Sequence, residues 1–398
     1  MSLRVAAMAS ADPLSPELLH ELETRYLVFD AFVAGRRRVG LNPLLLPVSL
    51  HRDAARAAVE TVRASLAASE RAHQDPSEQA RYRLHPDVVA LATASRRGGS
   101  SALLARVDLL LGEDGHFVAC EVNADCPGGH NESLALPALT RAAGFQSGHD
   151  PTCVVDALAE RLARASGGLP VALLYATAYA EDLQVCALVK KALAARGVAA
   201  VLAAPTAARL VGRSLFVGRT AVRAVYRFFP TEWLVGQDNV RDLARAVEMG
   251  SVFDLTAFAH IHAQSKFVLS RVPPAPWIAP TVALEEVDLA TILQEQPAWV
   301  LKRSFGRVGD QVYVGSLLSP PAFAQALRAA AAGSLRGESW VLQRFVKQRP
   351  IPTPLGPRLV TLGAYVLDDT FVGYFARLTV HSHVSHDALC VPVLVEAA

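Results

Sequence analysis

The segment from residue 103 to residue 125 constrains the fold more than any other part of the chain. Leu103–Leu111 is largely apolar, Gly112-Glu113-Asp114-Gly115 carries turn chemistry, and Phe117–Asn123 resumes a strand-like run. Two such runs around a Gly- and Asp-bearing turn predict an antiparallel hairpin. Its polar residues form Arg106-Val107-Asp108 on one strand and Glu121-Val122-Asn123 on the other, with Ala124-Asp125 following. Residues two apart on a strand share a face. Arg106 and Asp108 therefore project together, as do Glu121 and Asn123. In register, one sheet face carries two carboxylates, a carboxamide and a guanidinium. Those oxygens suit Mg²⁺, and they equally suit a solvated polar face with one Arg–Asp pair. The following Cys126-Pro127-Gly128-Gly129 reads as a flexible loop or an ordinary strand-to-helix turn, with Ser133 as the candidate helix cap.

The rest of the chain supplies the frame. Its 398 residues suffice for two or three packed subdomains. Ser15-Pro16-Glu17 reads as a capped helix start, His51–Arg71 as a long Ala-rich helix, and Pro86–Thr93 as another, with a polar connector His73–Arg83 between the last two. A helix over Val154–Ala165 precedes a strand Pro170–Ala176, a helix Asp182–Arg196, a strand Val198–Ala203 and a strand Val222–Phe228. That alternation predicts an open parallel sheet. No G-x-G-x-x-G follows its first strand, so a dinucleotide site is unsupported. Asp254–Leu269 reads as a helix and Val272–Pro280 as a Pro-rich linker. An α+β unit follows, with strands at Ala298–Lys302, Gln311–Val314, Trp340–Val346, Arg358–Leu367, Phe371–Leu378 and Val391–Val395, and a helix at Pro321–Ala332. The class is α/β (α+β).

Composition narrows the function. Thirty-nine basic and thirty-seven acidic residues leave a formal charge of +2, which offers no basic stripe for nucleic acid or anionic lipid. Arg36-Arg37-Arg38 reads as a solvated turn. No run approaches the roughly 18 apolar residues of a membrane span, and the first thirty residues lack an apolar signal core. Five scattered cysteines without a C-x-x-C pair read as reduced thiols, so a cytoplasmic setting is expected.

A second chemical cluster lies in the C-terminal half. Trp299-Val300-Leu301-Lys302 ends an apolar strand in a lysine and runs into Arg303-Ser304-Phe305-Gly306-Arg307-Val308-Gly309-Asp310. A glycine hairpin behind a strand lysine can cover nucleotide phosphates, although glycine hairpins are common. Gln343-Arg344-Phe345-Val346 lies on a strand able to present backbone to an adenine edge, or simply to fill the core. His381, His383 and His386 offer a different chemistry, a Zn²⁺ site, or else a polar strand end.

Taken in chain order, these residues resemble the circularly permuted ATP-grasp ligases, specifically the synthetase domain of glutathionylspermidine synthase, from about residue 100 onward. The matching motifs are Arg106-x-Asp108…Glu121-x-Asn123-Ala124-Asp125, Phe229-Pro230-Thr231-Glu232-Trp233, Ser265-Lys266, Lys302 with Gly306-Arg307-Val308-Gly309, Gln343–Val346, and Arg377. The resemblance implies ATP and Mg²⁺ as cofactors, with metal ligands Asp108, Glu121 and Asn123. It implies nucleotide contacts at Lys266, Lys302, Gly306, Arg307, Gly309, Gln343 and Phe345, and transfer arginines Arg106 and Arg377. The substrates implied are a small or peptide-like carboxylate and an amine. Val308 replaces the family's loop glutamate, and residues 1–95 are expected to match the family's amidase domain only as a generic helical lead-in. The organisation expected is a helical lead-in over 1–100, a metal-binding part over 101–150, a pre-ATP-grasp-like βαβ subdomain over 151–250 and an ATP-binding part over 251–398. The competing readings are a catalytically silent scaffold that binds a partner protein, and the histidine-based metal enzyme.

Overall fold

The computed structural model describes residues 3–9, 14–306, 311–382 and 388–396. Leu104–Leu111 and Phe117–Asn123 form the expected hairpin, with Arg106 opposite Asn123 and Asp108 opposite Glu121. A bulge at Asp108/Leu109 shifts the register beyond them. The free edge of Leu104–Leu111 is taken by Leu359–Leu367, which pairs in turn with Thr370–Thr379 and then Leu389–Val391. One antiparallel five-stranded sheet thus joins residues about 250 positions apart. The helix Val48–Gln74 packs on one face of it, burying Ala54, Ala58, Val62 and Ala68 in the same core as Val107, Leu109, Leu362 and Ala364. Small helix residues let the helix sit close to the sheet.

The parallel sheet forms as its alternating texture predicts. Its order is Phe253–Leu255, Ala224–Phe228, Val171–Tyr175, Ala200–Ala203, and every pair is parallel. A third sheet, antiparallel, orders Thr281–Ala283, Trp340–Arg344, Trp299–Arg303 and Val312–Val314. Pro320–Leu335 backs it through Phe323, Leu327 and Ala330, packed with Leu301 and Leu342. The architecture is mixed α/β with several sheets, consistent with an ATP-grasp-related fold. No helix among the described residues is long and apolar enough to cross a membrane.

Four readings need correction. Asp254–Leu269 is not one helix. It comprises the strand Phe253–Leu255, a 3₁₀ turn Phe258–His260, a short helix Ile261–Gln264 and a 3₁₀ segment Lys266–Ser270. Asp254 is fixed by the hydroxyls of Ser95 and Ser100 and by the amide of Phe258, so its neighbours extend the sheet instead of starting a helix. The strand expected at Val391–Val395 is two strands, Leu389–Val391 and Val393–Val395, in different sheets. Pro392 separates them and has no N–H for a ladder. The connector after the long helix contains a helix, Pro76–Arg81, capped by Asp75. The Gly128-Gly129 turn leads into His130–Ala142, whose N-cap is Gly129 at φ +92°, with Ser133 inside the helix. A Cβ on Gly129 would lie 2.8 Å from Phe375 and 2.9 Å from the Tyr365 hydroxyl, so glycine is required there.

His262 sits fully buried beneath this frame, edge-on to His73 and Tyr82, with neither ring nitrogen hydrogen-bonded among the described residues. Burial, helped by His73, pushes its pKa down to about 3. The unfolded chain accepts a proton near pH 6.5 that the native state refuses, so this residue makes stability fall as pH drops below about 6.5. In His262→Leu, denaturant unfolding between pH 6 and 4 should show a stability slope shallower by roughly 1.4 kcal/mol per pH unit. An unchanged slope would rule out a neutral, desolvated His262.

Candidate active site

The polar face of the hairpin forms one wall of a cavity of about 930 Å³, and the antiparallel sheet bearing Lys302 forms another. Asp108 is the most constrained group. Arg106 donates to it from Nε to Oδ1 at 2.7 Å and from Nη2 to Oδ2 at 3.1 Å, while Arg377 Nη2 reaches Oδ2 at 2.8 Å. Burial alone would raise its pKa, but the guanidiniums of Arg106 and then Arg377 hold its carboxyl well below the usual carboxylate range. Arg106 also donates to the Gly128 carbonyl at 2.9 Å, which accepts from the Tyr365 hydroxyl at 2.6 Å. Phe375 lies 5.5 Å from each of the two guanidiniums. Gly363, opposite Asp108 on the central strand, leaves the room: a Cβ there would sit 2.7 Å from Arg106 Cδ.

Glu121 pairs with Lys266 at 3.0 Å, and Lys266 Nζ also donates to the Gly306 carbonyl at 2.9 Å. Lys266 stands on the 3₁₀ segment capped by Ser265 and is buried. Lys302 is also buried, at 8% exposure, and its Nζ donates to Gln343 Oε1 at 2.6 Å and to the Cys120 carbonyl at 3.2 Å. Among the described residues it meets no carboxylate, only neutral oxygens. A buried ammonium held this way is a standing attraction for an anion. Gln343 is oriented by its own donation to the Thr281 hydroxyl at 2.9 Å. Phe345 lines the cavity, but its amide donates to the Ala298 carbonyl at 2.8 Å, so that backbone group is already used. Burial pushes the Cys120 thiol up to about 11, which keeps it protonated beside these charges.

The structure therefore brings together Arg106, Asp108, Glu121, Asn123, Lys266, Lys302, Gly306, Gln343, Phe345 and Arg377 around one cavity. Arg307 and Gly309 of the glycine loop lie outside the described residues, as do His383 and His386. His381 is described, and its carbonyl accepts from the Thr379 hydroxyl. Asp125 belongs elsewhere. It is 3% exposed and accepts from Arg227 Nη2 at 2.6 Å, from the Thr231 amide at 2.7 Å and from the Thr231 hydroxyl at 2.8 Å. Its work is to lock the end of the hairpin to the parallel sheet.

No group of three His, Cys, Asp or Glu residues placed for a metal occurs among the described residues. A Mg²⁺ site does not require one, because one or two carboxylates with phosphate oxygens are its usual set. The donors present fit that requirement. Asp108 Oδ1 accepts a single N–H, leaving a lone pair, and Glu121 and Asn123 face the same cavity.

Sequence reasoning missed Arg38, Asp30 and Glu132, which line the same cavity. Arg38 pairs with Asp30 at 2.5 Å and with Glu132, so the third arginine of the triple is not a solvated one. The available signal was an acid and a base flanking Gly35 at hairpin distance.

A model of the family described as glutathionylspermidine synthase preATP-grasp matches residues 51–396. No curated protein matches by sequence. Among solved structures, the chain is similar to an apo-form glutathione synthetase-like effector from Globodera pallida, with TM-score 0.57 and 12% identity over 96% of this chain and 98% of that one. A provisionally assigned gamma-glutamylcysteine synthetase from Methylobacillus flagellatus gives TM-score 0.41 and 15% identity over 78% of this chain and 84% of that one.

The Asp125–Arg227 lock generates a direct test. Asp125→Asn leaves a guanidinium that is 1% exposed without its counter-charge, which costs about 3–5 kcal/mol. Urea unfolding should register that loss. A loss below about 1 kcal/mol would mean that water reaches Arg227.

Proposed function

The chain belongs to the glutathionylspermidine synthase preATP-grasp family, and on that premise we propose that it is an ATP- and Mg²⁺-dependent ligase joining a carboxylate to an amine. The single observation that carries this reading is Lys302: a buried ammonium at the cavity wall, held by neutral oxygens and, among the described residues, facing no carboxylate. Polyphosphate is the partner such a group is built to meet. Lys302 and Lys266 are assigned to the α- and β-phosphates, with Gln343 fixing the Lys302 ammonium. Gly306, Arg307 and Gly309 are assigned to the loop over the phosphates, and Phe345 to the edge of the base. Asp108 Oδ1, Glu121 and Asn123 would hold Mg²⁺, which when bound neutralises phosphate charge.

In the reaction proposed, a substrate carboxylate oxygen attacks the γ-phosphorus and ADP leaves, giving an acyl phosphate. The amine then attacks the acyl carbon, and phosphate leaves with the oxygen that bridged it. The protein's part is positioning and charge neutralisation. Arg106 and Arg377 meet the charge that grows on the transferring group, and the Asp108 carboxylate holds both in one orientation. The arrangement is read as a circularly permuted ATP-grasp core, with the carboxylate strands ahead of the lysines in the chain and a pre-ATP-grasp-like subdomain over 151–250. Supporting this, Leu104–Leu111 pairs directly with Leu359–Leu367 and carries Phe117–Asn123 on its other edge in the same sheet. Small-molecule partners in the cytoplasm complete the proposal.

The test is ADP release with Mg-ATP and a panel of carboxylate–amine pairs. Turnover should need both substrates, and Glu121→Gln should abolish most of it. Lys302→Met should weaken ATP by roughly 1–3 kcal/mol. Unaltered ATP binding by a folded Lys302→Met protein would remove the carrying observation, and a chain that binds ATP without turnover on any pair would be a silent scaffold. Arg377→Lys keeps charge but loses the planar fork. It should lower kcat about a hundredfold with little change in ATP affinity, whereas near-normal kcat with a lowered Tm would make Arg377 architectural.

A further inference from the structure

One end of the cavity is left unused by the phosphoryl chemistry. Its wall includes Phe29, Asp30 and Arg38, which precede the family-matched span. There Phe32–Val33 pairs with Arg36–Arg37 as a short ribbon, and Phe29, Asp30 and Arg38 face the cavity. The position of this end follows from the sheet. Cys390 is the register partner of Arg377, and its amide donates to the Arg38 carbonyl at 2.7 Å. The Arg38 backbone therefore lies two strand spacings, about 10 Å, from that of Arg377.

Arg38 is surrounded by acids. Its guanidinium meets Asp30 at 2.5 Å, Glu132, and Glu181 at 3.8 Å. One guanidinium against three carboxylates leaves this end anionic, and burial together with the nearby Asp30 carboxyl raises the Glu181 pKa.

Two independent observations indicate what the charge is for. Asn131, 2% exposed and on the cavity wall, spends its Nδ2 on the carbonyls of Tyr26 at 2.8 Å and Gln184 at 3.1 Å. Those bonds fix the amide's orientation, and they leave Oδ1 buried with no partner among the described residues, an acceptor available to a ligand N–H. The same cavity wall carries Phe29, Tyr179 and Trp233 at 59%, 54% and 39% exposure. The Tyr179 and Trp233 rings lie 5.7 Å apart at 32°, which makes a continuous aromatic shelf.

We propose that this end of the cavity recognises a planar organic cation, a guanidinium-type group carried by the amine acceptor about 10 Å from where the transfer arginine stands. The identity of that ligand as acceptor rests on the ligase reading. The recognition chemistry stands on the residues themselves. A guanidinium directs its N–H edge to carboxylates and to the Asn131 oxygen while its weakly hydrated face covers Trp233 and Tyr179. An aliphatic ammonium is compact and strongly hydrated; it can donate to a carboxylate or to the Asn131 oxygen, but it has no planar, weakly hydrated face to lay over Trp233 and Tyr179. Asp30 and Phe29 would then set specificity from a segment that the family model does not include.

The test is titration calorimetry of the full chain with agmatine, putrescine and butylamine, without nucleotide, beside a separate titration with Mg-ATP. Agmatine should bind about tenfold or more tightly than putrescine, and butylamine more weakly than either. Asp30→Asn and Trp233→Leu should each weaken agmatine about fivefold or more while leaving ATP affinity unchanged. If Trp233→Leu fails to fold, Phe29→Ala at an exposed position takes its place. Putrescine binding as tightly as agmatine, agmatine not binding, or folded variants binding agmatine like the parent protein would each overturn the proposal. Agmatine discrimination without ATP binding would sink the ligase reading instead and leave the cation site standing.

Discussion

Asp108 between the guanidiniums of Arg106 and Arg377 is the interaction on which the rest of the site depends. Arg377 and Asp108 are 269 positions apart, so their contact exists only because the strand Leu359–Leu367 has been laid between their strands. Gly363 on that central strand gives Arg106 space to lie along the sheet face. A buried carboxylate is costly unless it is paired and hydrogen-bonded. Here three donated N–H bonds satisfy it, and in return it fixes the direction of two arginines that would otherwise be flexible. The sheet makes the ion cluster possible, and the cluster makes the sheet face chemically specific.

The cavity built on that face is electrically two-ended. At one end Arg106 and Arg377 bracket Asp108, Lys266 pairs with Glu121 and Lys302 is held by neutral oxygens, while Asp30, Glu132 and Glu181 surround Arg38 at the other. In a confined site such polarity orients a charged ligand before any contact is made. A polyphosphate favours the cationic end and an amine with a second charge favours the anionic end. Cys390 bridges the two by pairing with Arg377 and bonding to the Arg38 carbonyl. The ends are therefore held at a fixed spacing by backbone, not by side chains alone.

Much of this was legible from residue order. Turn chemistry and period-two alternation located the hairpin to within a residue and put Asp108 on one strand with Glu121 and Asn123 on its partner; the register that sets Asp108 opposite Glu121 comes from the fold. The strand ending in Lys302 and the parallel sheet followed from the same local rules. Failures came where tertiary partners override local pattern. The apolar run around Phe258–Leu269 has no periodicity that distinguishes a helix from short buried segments, and Asp254 hydrogen bonds decide it. Pro392 splits a strand that hydropathy reads as continuous. Arg38 lay in a basic triple with the texture of a surface turn, and its three acidic neighbours come from residues 30, 132 and 181, which no local window contains. Gln343 reads as one polar residue in an apolar strand, and only the three-dimensional pairing shows that it holds Lys302.

A cavity that activates a carboxylate as an acyl phosphate moves one carboxylate oxygen onto phosphorus. Isotope transfer tests it most directly. With a turnover-competent pair whose carboxylate carries ¹⁸O, the bridging oxygen of the acyl phosphate leaves with phosphorus, so the inorganic phosphate released should contain one ¹⁸O per amide formed. Phosphate free of label during amide formation would exclude an acyl phosphate, because the oxygen lost from the carboxylate would then never have been bonded to phosphorus.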